Sequence, residues 1–303
     1  MNKPEIQKVC VVGGGFMGSQ IGLQCAMFGR AVSICDTSQA VQAPSRALQE
    51  QLLDDQVAAG ALAAGDKAVI LARIARTTSL EDAADQACLA IEAVTEDLEA
   101  KRQVFASLDR LLPPHAIIAT NSSSLCVSQI ESATGRPDRV LNTHFVQPIW
   151  KHNFVELMRG TATTDQTVQA VRDFMKSINV MPIMVRREHM GFVFNRIWRA
   201  MKKEALRTVD RGVATHEDVD RTWMIQMEMP MGPFAHMDRV GLDVVRDIEQ
   251  VYFEASGDPS DAPPRVLLEK IEKGELGVKT GKGFYTYPNP SWQSPQFLKT
   301  TSD

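Results

Sequence analysis

The stretch that decides the fold is KVCVVGGGFMG, Lys8 to Gly18. An apolar strand-like run, Lys8–Val12, ends in Gly13-x-Gly15-x-x-Gly18, and a helical pattern follows from Met17 to Gly29. A second apolar run, from Ala31, closes on Asp36, 18 positions after the last of these glycines. Strand, glycine turn, helix, strand and acid in this order form a dinucleotide-binding fingerprint. Gly13 permits the tight turn, Gly15 lets backbone approach a pyrophosphate, and Gly18 lets helix and strand pack closely. The helix start offers unpaired N–H groups and partial positive charge to the phosphates, with Phe16 and Met17 at its first turn. The Asp36 carboxylate suits ribose hydroxyls and repels a 2′-phosphate. Thr37 and Ser38 supply no compensating cation, so NAD is expected rather than NADP. FAD shares the fingerprint, but no further FAD-type segment is apparent.

Outward from this unit, strand-like runs alternate with helical ones as far as about Val185. They are Ala87–Ala93, Ala116–Thr120, Val140–His144, Asn153–Leu157 and Val180–Met184, with a helix over Leu98–Leu111. This alternation predicts an α/β fold with a mostly parallel, Rossmann-type sheet covered on both faces. Ser38 to Leu71 exceeds a simple crossover, and its breaks at Gly60 and Gly65-Asp66 predict a helical hairpin projecting from the sheet. Beyond Arg187 helical stretches dominate: Phe192–Asp210, His216–Met227, Gly232–Ala255 and Ala262–Glu272. The expected organisation is residues 1–187 as an NAD-binding domain and 188–303 as an all-helical domain. The Pro-, Ser- and Asn-rich end from Pro288 is expected to be loose.

Composition narrows the function classes. The 303 residues carry a formal net charge of -4 with 44% hydrophobic and 23% charged residues, as in a globular protein. No global positive field invites nucleic acid or an anionic membrane. The N-terminus lacks the apolar segment of a signal peptide, and no run approaches the roughly 20 residues of a membrane span. Five cysteines, at 10, 25, 35, 88 and 126, are odd in number and lack CxxC spacing. They read as free thiols in a reducing cytoplasm, and no metal is assigned.

Oxidising an alcohol with NAD requires a base for the hydroxyl proton, and histidine suits that task near neutrality. His144 ends one predicted strand, and Glu156 lies on the next. A turn through Pro148 would set the carboxylate beside the imidazole, orienting it and stabilising its protonated form.

The residues here resemble the NAD-dependent L-3-hydroxyacyl-CoA dehydrogenases over nearly the whole chain. The matching motifs are Gly13 to Gly18, Glu92-Ala-Val-Thr-Glu96, Asn121-Ser-Ser-Ser-Leu125, His144-Phe145 with Pro148, Val155-Glu156, Gly191-Phe-Val-Phe-Asn-Arg196, Pro230-Met-Gly-Pro233 and Lys279-Thr-Gly-Lys-Gly-Phe-Tyr285. The resemblance implies His144 as general base with Glu156 as its partner. It implies Ser123 and Asn195 as hydrogen-bonders to the substrate's reacting oxygen or thioester carbonyl. Glu96, Lys101 and Lys279 match positions that line the NAD site, and a homodimer built by the helical domain is expected. The segment from Gly191 lacks the catalytic lysine of 6-phosphogluconate-type dehydrogenases.

Two departures bear on substrate. The family's usual Phe-Phe-Asn-Pro reads Phe145-Val146-Gln147-Pro148 here, so a cofactor contact would pass to Gln147 in shifted form, and Ile149-Trp150-Lys151-His152 is bulkier and more polar than usual. The hairpin segment Ser38 to Asp66 holds Arg46 as its only cation, against Glu50, Asp54, Asp55 and Asp66. An acidic hairpin opposes the phosphates of a CoA thioester. Arg199, Lys202, Lys203 and Arg207 on one predicted helix are substitute anion contacts. The expected activity is reversible NAD-dependent oxidation of an L-3-hydroxyacyl-CoA. The alternatives are a free 3-hydroxy acid of the L-carnitine or L-gulonate type, or a non-catalytic NAD-binding scaffold.

Overall fold

A computed structural model describes residues 6–299 and divides the chain into two compact units, one up to Val193 and one from Phe194. The first unit runs β1 (Lys8–Val12), α1 (Phe16–Met27), β2 (Ala31–Cys35), α2 (Gln42–Ala58), α3 (Asp66–Ala72), β3 (Ile74–Thr77), α4 (Leu80–Ala84), β4 (Leu89–Glu92), α5 (Leu98–Leu111), β5 (Ile117–Thr120), β6 (Val140–Phe145), β7 (Phe154–Arg159), α6 (Asp165–Ser177) and β8 (Met181–Val185). Its eight strands form one sheet in the order β3-β2-β1-β4-β5-β6-β7-β8. All neighbours are parallel except β6 and β7.

The pleat explains why the strands read as continuous apolar runs. Val9 and Val11 of β1 enter one hydrophobic cluster, which α1 and α6 cover. Cys10 and Val12 enter a second cluster, capped by Phe105 and Leu108 of α5. Both faces are dry, so both phases of the alternation are apolar. The chain winds outward from β1 to β3, then returns to place β4 on the other flank of β1. That reversal opens the crevice at the C-terminal strand ends where ligands bind in such sheets, and the glycine turn sits there.

The hairpin forms as α2 and α3, but it does not stand clear of the sheet. Leu52 and Leu53 are buried in the first cluster, and the Gln49 side-chain amide donates to the Ser19 carbonyl of α1 at 2.7 Å. The edge strand β3 escapes the sequence reading because its residues Ile74-Ala-Arg-Thr77 bury only the isoleucine.

The second unit contains α7 (Phe194–Asp210), α8 (His216–Met227), α9 (Pro233–Val240), α10 (Leu242–Ser256) and α11 (Arg265–Glu272). The stretch expected to be helical from Gly232 to Ala255 is broken at Gly241, whose φ of +101° suits glycine and ends α9. Among the described residues, the tail after Pro288 is not loose. Phe297 is buried, its carbonyl accepts from Arg221 Nε at 2.7 Å, and the Arg221 guanidinium lies 4.8 Å from the ring centre. No described helix is long and apolar enough to cross a membrane.

Candidate active site

The glycine turn has the sterics of a tight strand-to-helix turn. Gly13 adopts φ +104°, and a Cβ there would lie 2.5 Å from the Ala93 carbonyl oxygen. A Cβ on Gly18 would lie 1.8 Å from the Gly13 oxygen, whereas Gly15 faces open space. The α1 N-terminus has no side-chain cap and no acidic residue in its first turn. Its N–H groups and dipole are therefore available to an anion, and the chain's residues fit a dinucleotide pyrophosphate. Phe16 is exposed beside this turn, while Met17 packs against the first cluster. Asp36 is fixed at the end of β2: Gly14 N–H donates to Oδ2 at 2.8 Å and Ser38 N–H to Oδ1 at 3.0 Å.

Across the switch point lies a cluster that the sequence reading found only in part. Glu92, at the end of β4, is fully buried. Its Oε1 accepts from Lys101 Nζ and from Val94 N–H, each at 2.8 Å, and its Oε2 accepts from the Thr120 hydroxyl at 2.8 Å. Lys101, expected to line the cofactor site, is 1% exposed and also lies 3.2 Å from Glu96 Oε2. Its ammonium is thus held between two carboxylates of its own chain. The serine triplet wraps the other oxygen of Glu96. The Ser122 and Ser124 hydroxyls donate to Oε1 at 2.5 and 2.7 Å, and the Ser123 and Ser124 N–H groups at 3.0 Å each. Burial pushes the Glu96 carboxyl up, but these hydrogen bonds and the Lys101 charge outweigh it and hold it down at about 2. The Ser123 hydroxyl is exposed, 3.5 Å from the same oxygen. Asn121 and Asn142 tie this segment to β6: Phe145 N–H donates to Asn121 Oδ1 at 2.9 Å, and Asn142 Nδ2 donates to the Ser122 carbonyl at 2.9 Å.

His144 and Glu156 are directly opposed in the β6–β7 register. Such cross-strand neighbours hold their side chains within contact. Glu156 is 1% exposed, and its Oε2 lies 2.8 Å from His144 Nδ1. The other carboxylate oxygen accepts from Val193 N–H at 2.8 Å. That N–H is aimed by Gly191 and Phe192, both at positive φ, and the Phe192 ring meets the imidazole edge-on at 5.1 Å. With Nδ1–H donated to a carboxylate, the Nε2 lone pair is the basic one, and Nε2 makes no hydrogen bond among the described residues. Gln147 is exposed in the connecting turn. Ile149 is buried and Trp150 half-buried, and both line a small cavity with Leu23, Met27 and Leu52. The bulky residues after Pro148 therefore serve the packing of α1 and α2.

The remaining assigned residues belong to the second unit. Asn195 is the second residue of α7, and Lys279 pairs with both carboxylate oxygens of Asp243, at 2.6 and 2.5 Å. The cations of α7 are engaged internally. Lys202 meets the buried Glu249 at 2.9 Å, Arg199 and Lys203 bind Asp261, and Arg207 donates to the Ser260 carbonyl. Each of these cations thus already has an acceptor within its own unit. Glu92, Thr120, Ser122 and Asn142 were given no role because single polar residues in or beside apolar strands carry no spacing signal of what they hold. Glu92, which opens the motif ending at Glu96, and Ser122, inside the serine triplet motif, offered a hint.

A doubly covered, mostly parallel sheet, an uncapped helix terminus beside Asp36 and a histidine–carboxylate pair across β6 and β7 define an NAD-dependent dehydrogenase. Residues 8–189 match the 3-hydroxyacyl-CoA dehydrogenase NAD binding domain and residues 191–287 the 3-hydroxyacyl-CoA dehydrogenase C-terminal domain. The chain belongs to the 3-hydroxyacyl-CoA dehydrogenase family. It is 36% identical to a 3-hydroxybutyryl-CoA dehydrogenase of Mycobacterium tuberculosis, over 93% of this chain and 99% of that protein. The crystal structure of the (S)-3-hydroxybutyryl-CoA dehydrogenase of Ralstonia eutropha superposes with a TM-score of 0.86 at 34% identity, covering 94% of this chain and all of that one. A diketoreductase described as acting on dicarbonyl compounds superposes with a TM-score of 0.85, also at 34% identity and over 94% of this chain and all of that one.

Proposed function

We propose that the protein catalyses reversible NAD-dependent oxidation of a 3-hydroxyacyl-CoA to the 3-oxoacyl-CoA. The observation that carries this reading is the buried His144–Glu156 pair, 2.8 Å apart. NAD, when bound, supplies the hydride acceptor. His144 Nε2 takes the hydroxyl proton in oxidation and returns it in reduction, and Glu156 fixes the tautomer and stabilises the imidazolium. Positioned proton transfer of this kind contributes about 10²- to 10⁴-fold. Ser123 is proposed to hold the substrate oxygen, its hydroxyl being the exposed one of the triplet. The roles of Asn195, Gln147 and Lys279 rest on their motifs, as does the assignment of NAD to residues 1–187 and of substrate and dimerisation to 188–303.

One observation favours a second reading. The hairpin's Arg46 is paired with Glu50 at 2.8 Å and Lys67 with Asp54, and the α7 cations are paired as described. A free 3-hydroxy acid would need none of these charges. NAD reduction with 3-hydroxybutyryl-CoA, L-carnitine, L-gulonate and 3-hydroxybutyrate decides between the readings, and turnover of the CoA thioester is expected. His144→Gln should remove nearly all turnover and leave NAD affinity within about threefold. Wild-type activity in that variant sinks the mechanism.

A homodimer is also proposed. Val244, Ile248 and Val251 form an exposed apolar stripe at helical spacing on α10. Ile248→Glu should shift the mass measured by light scattering from dimer to monomer. A reducing, cytoplasmic setting is proposed from the free thiols: Cys10 and Cys25 are buried and pushed up to about 12 by that burial.

A further inference from the structure

Asn142 is a buried amide on an otherwise apolar strand, and the proposed proton transfer makes no use of it. Side chains along β6 alternate between the two faces of the sheet. Leu141 and Phe145 enter the first hydrophobic cluster, and Val140 enters the second. Asn142 therefore shares the face of the second cluster with Val140 and His144. Its neighbours across the sheet are Thr120 of β5 and Met158 of β7. Asn142 is 0% exposed. Its Nδ2 donates to the Ser122 carbonyl at 2.9 Å, and its Oδ1 meets no donor among the described residues.

Burying an amide in an apolar cluster is costly, and one neutral hydrogen bond offsets that cost only in part. Stability alone does not account for an asparagine here. What its hydrogen bond fixes is the peptide joining Ser122 to Ser123, because the carbonyl it holds belongs to that peptide. The other polar groups of Ser122 are held as well. Its N–H donates to the Thr120 hydroxyl at 3.1 Å, and its own hydroxyl donates to Glu96 Oε1 at 2.5 Å. Asn121 adds a second tie to β6 by accepting from Phe145 N–H, the residue after His144. The backbone that presents the Ser123 hydroxyl is thus clamped on both sides of His144, to the strand that presents the imidazole.

We infer that Asn142 is a positioning residue: it sets the place of the Ser123 hydroxyl relative to His144, so that both reach the same substrate oxygen. The inference rests on the role proposed above for Ser123. Asn142 itself touches neither substrate nor cofactor and acts through the Ser122 carbonyl. Misplacement of a reacting group by about 1 Å costs on the order of 10²-fold in rate, so one hydrogen bond of this kind is worth far more to turnover than to folding.

A double-mutant cycle in turnover of 3-hydroxybutyryl-CoA with NAD tests this. Asn142→Leu removes the donor and keeps the side chain's branching. It should lower kcat at least about tenfold, while KM and the NAD dissociation constant change less than about threefold and the melting temperature holds. Ser123→Ala should lower kcat by about 10²- to 10³-fold, as loss of a donor to the reacting oxygen does. The double variant should be within about twofold of Ser123→Ala, because Asn142 has nothing left to position. If Asn142→Leu does not fold, Asn142→Ala removes the same donor without added bulk and takes its place in the cycle. A kcat within about threefold of wild type in the Asn142 variant overturns the inference alone, as do losses that multiply in the double variant. Turnover, NAD affinity and melting temperature falling together also overturn it, since Asn142 would then only hold the fold. Wild-type turnover in Ser123→Ala overturns the Ser123 assignment as well, and no turnover by the wild-type protein overturns the proposed function with it.

Discussion

Lys101→Met separates a structural lysine from a cofactor contact. Lys101 is 1% exposed, and its Nζ lies 2.8 Å from Oε1 of Glu92, which is 0% exposed. Methionine fills the same volume but removes the charge. Glu92 would keep the Val94 N–H and the Thr120 hydroxyl, each at 2.8 Å, and lose its only cationic partner among the described residues. An uncompensated buried charge of this kind costs about 3–5 kcal/mol. For a unit of this size that corresponds to a melting temperature lower by roughly 6–20 °C. Glu96 also loses its ion pair, so the serine triplet loses part of its anchor. Thermal and urea denaturation of the single variant, of Glu92→Gln and of the double variant would measure the coupling. The double variant should recover at least half of the loss, because the neutral amide introduced by Glu92→Gln can still accept from Val94 N–H and meet the Thr120 hydroxyl. If Lys101→Met melts within about 1 kcal/mol of wild type and instead weakens NAD tenfold or more, the ammonium serves the cofactor and the reasoning from burial is wrong.

Gly18→Ala should abolish NAD binding and lower stability by about 2 kcal/mol or more, since its Cβ would sit 1.8 Å from the Gly13 oxygen. Isothermal titration and melting curves check both effects, and a variant that binds NAD normally would contradict the turn geometry. Glu96 supplies a pH dependence. Its carboxyl is held at about 2 against an ordinary 4.5. Its stabilisation is therefore complete above 4.5 and disappears as pH falls through 2. Because the side chain is 37% exposed, solvent screening reduces this to about 1 kcal/mol. Melts of wild type and Glu96→Gln should differ by that amount at pH 6 and converge only below about pH 2. A constant difference would show that the charge is not responsible.

Much of the site was legible in the chain. The fingerprint from Gly13 to Gly18 with Asp36 reads directly because each glycine answers a local steric demand. His144 and Glu156 were expected side by side, and the strands that carry them form an antiparallel pair with the two residues opposed. What escaped was non-local. The strand β3 has too few buried residues to announce itself, and it alone brings Arg76 beside Asp36. The break at Gly241 was hidden in a continuous helical pattern, since a glycine inside such a pattern does not reveal its φ.

The amino-acid order by itself determined the sheet-forming alternation, the glycine turn after β1, the acid that closes β2 and the histidine–carboxylate pair. Each depends on residues within one supersecondary unit, where spacing and steric limits are read along the chain. Only the tertiary structure decided which charges remain available. It placed Lys101 between Glu92 and Glu96, gave the α7 cations to Glu249, Asp261 and a carbonyl, and bonded the Arg76 guanidinium to Gln49 and the Ile74 carbonyl. The reason is physical: a charge must be neutralised or hydrogen-bonded where it is buried, and its partner is chosen by proximity in space, which sequence distance does not encode.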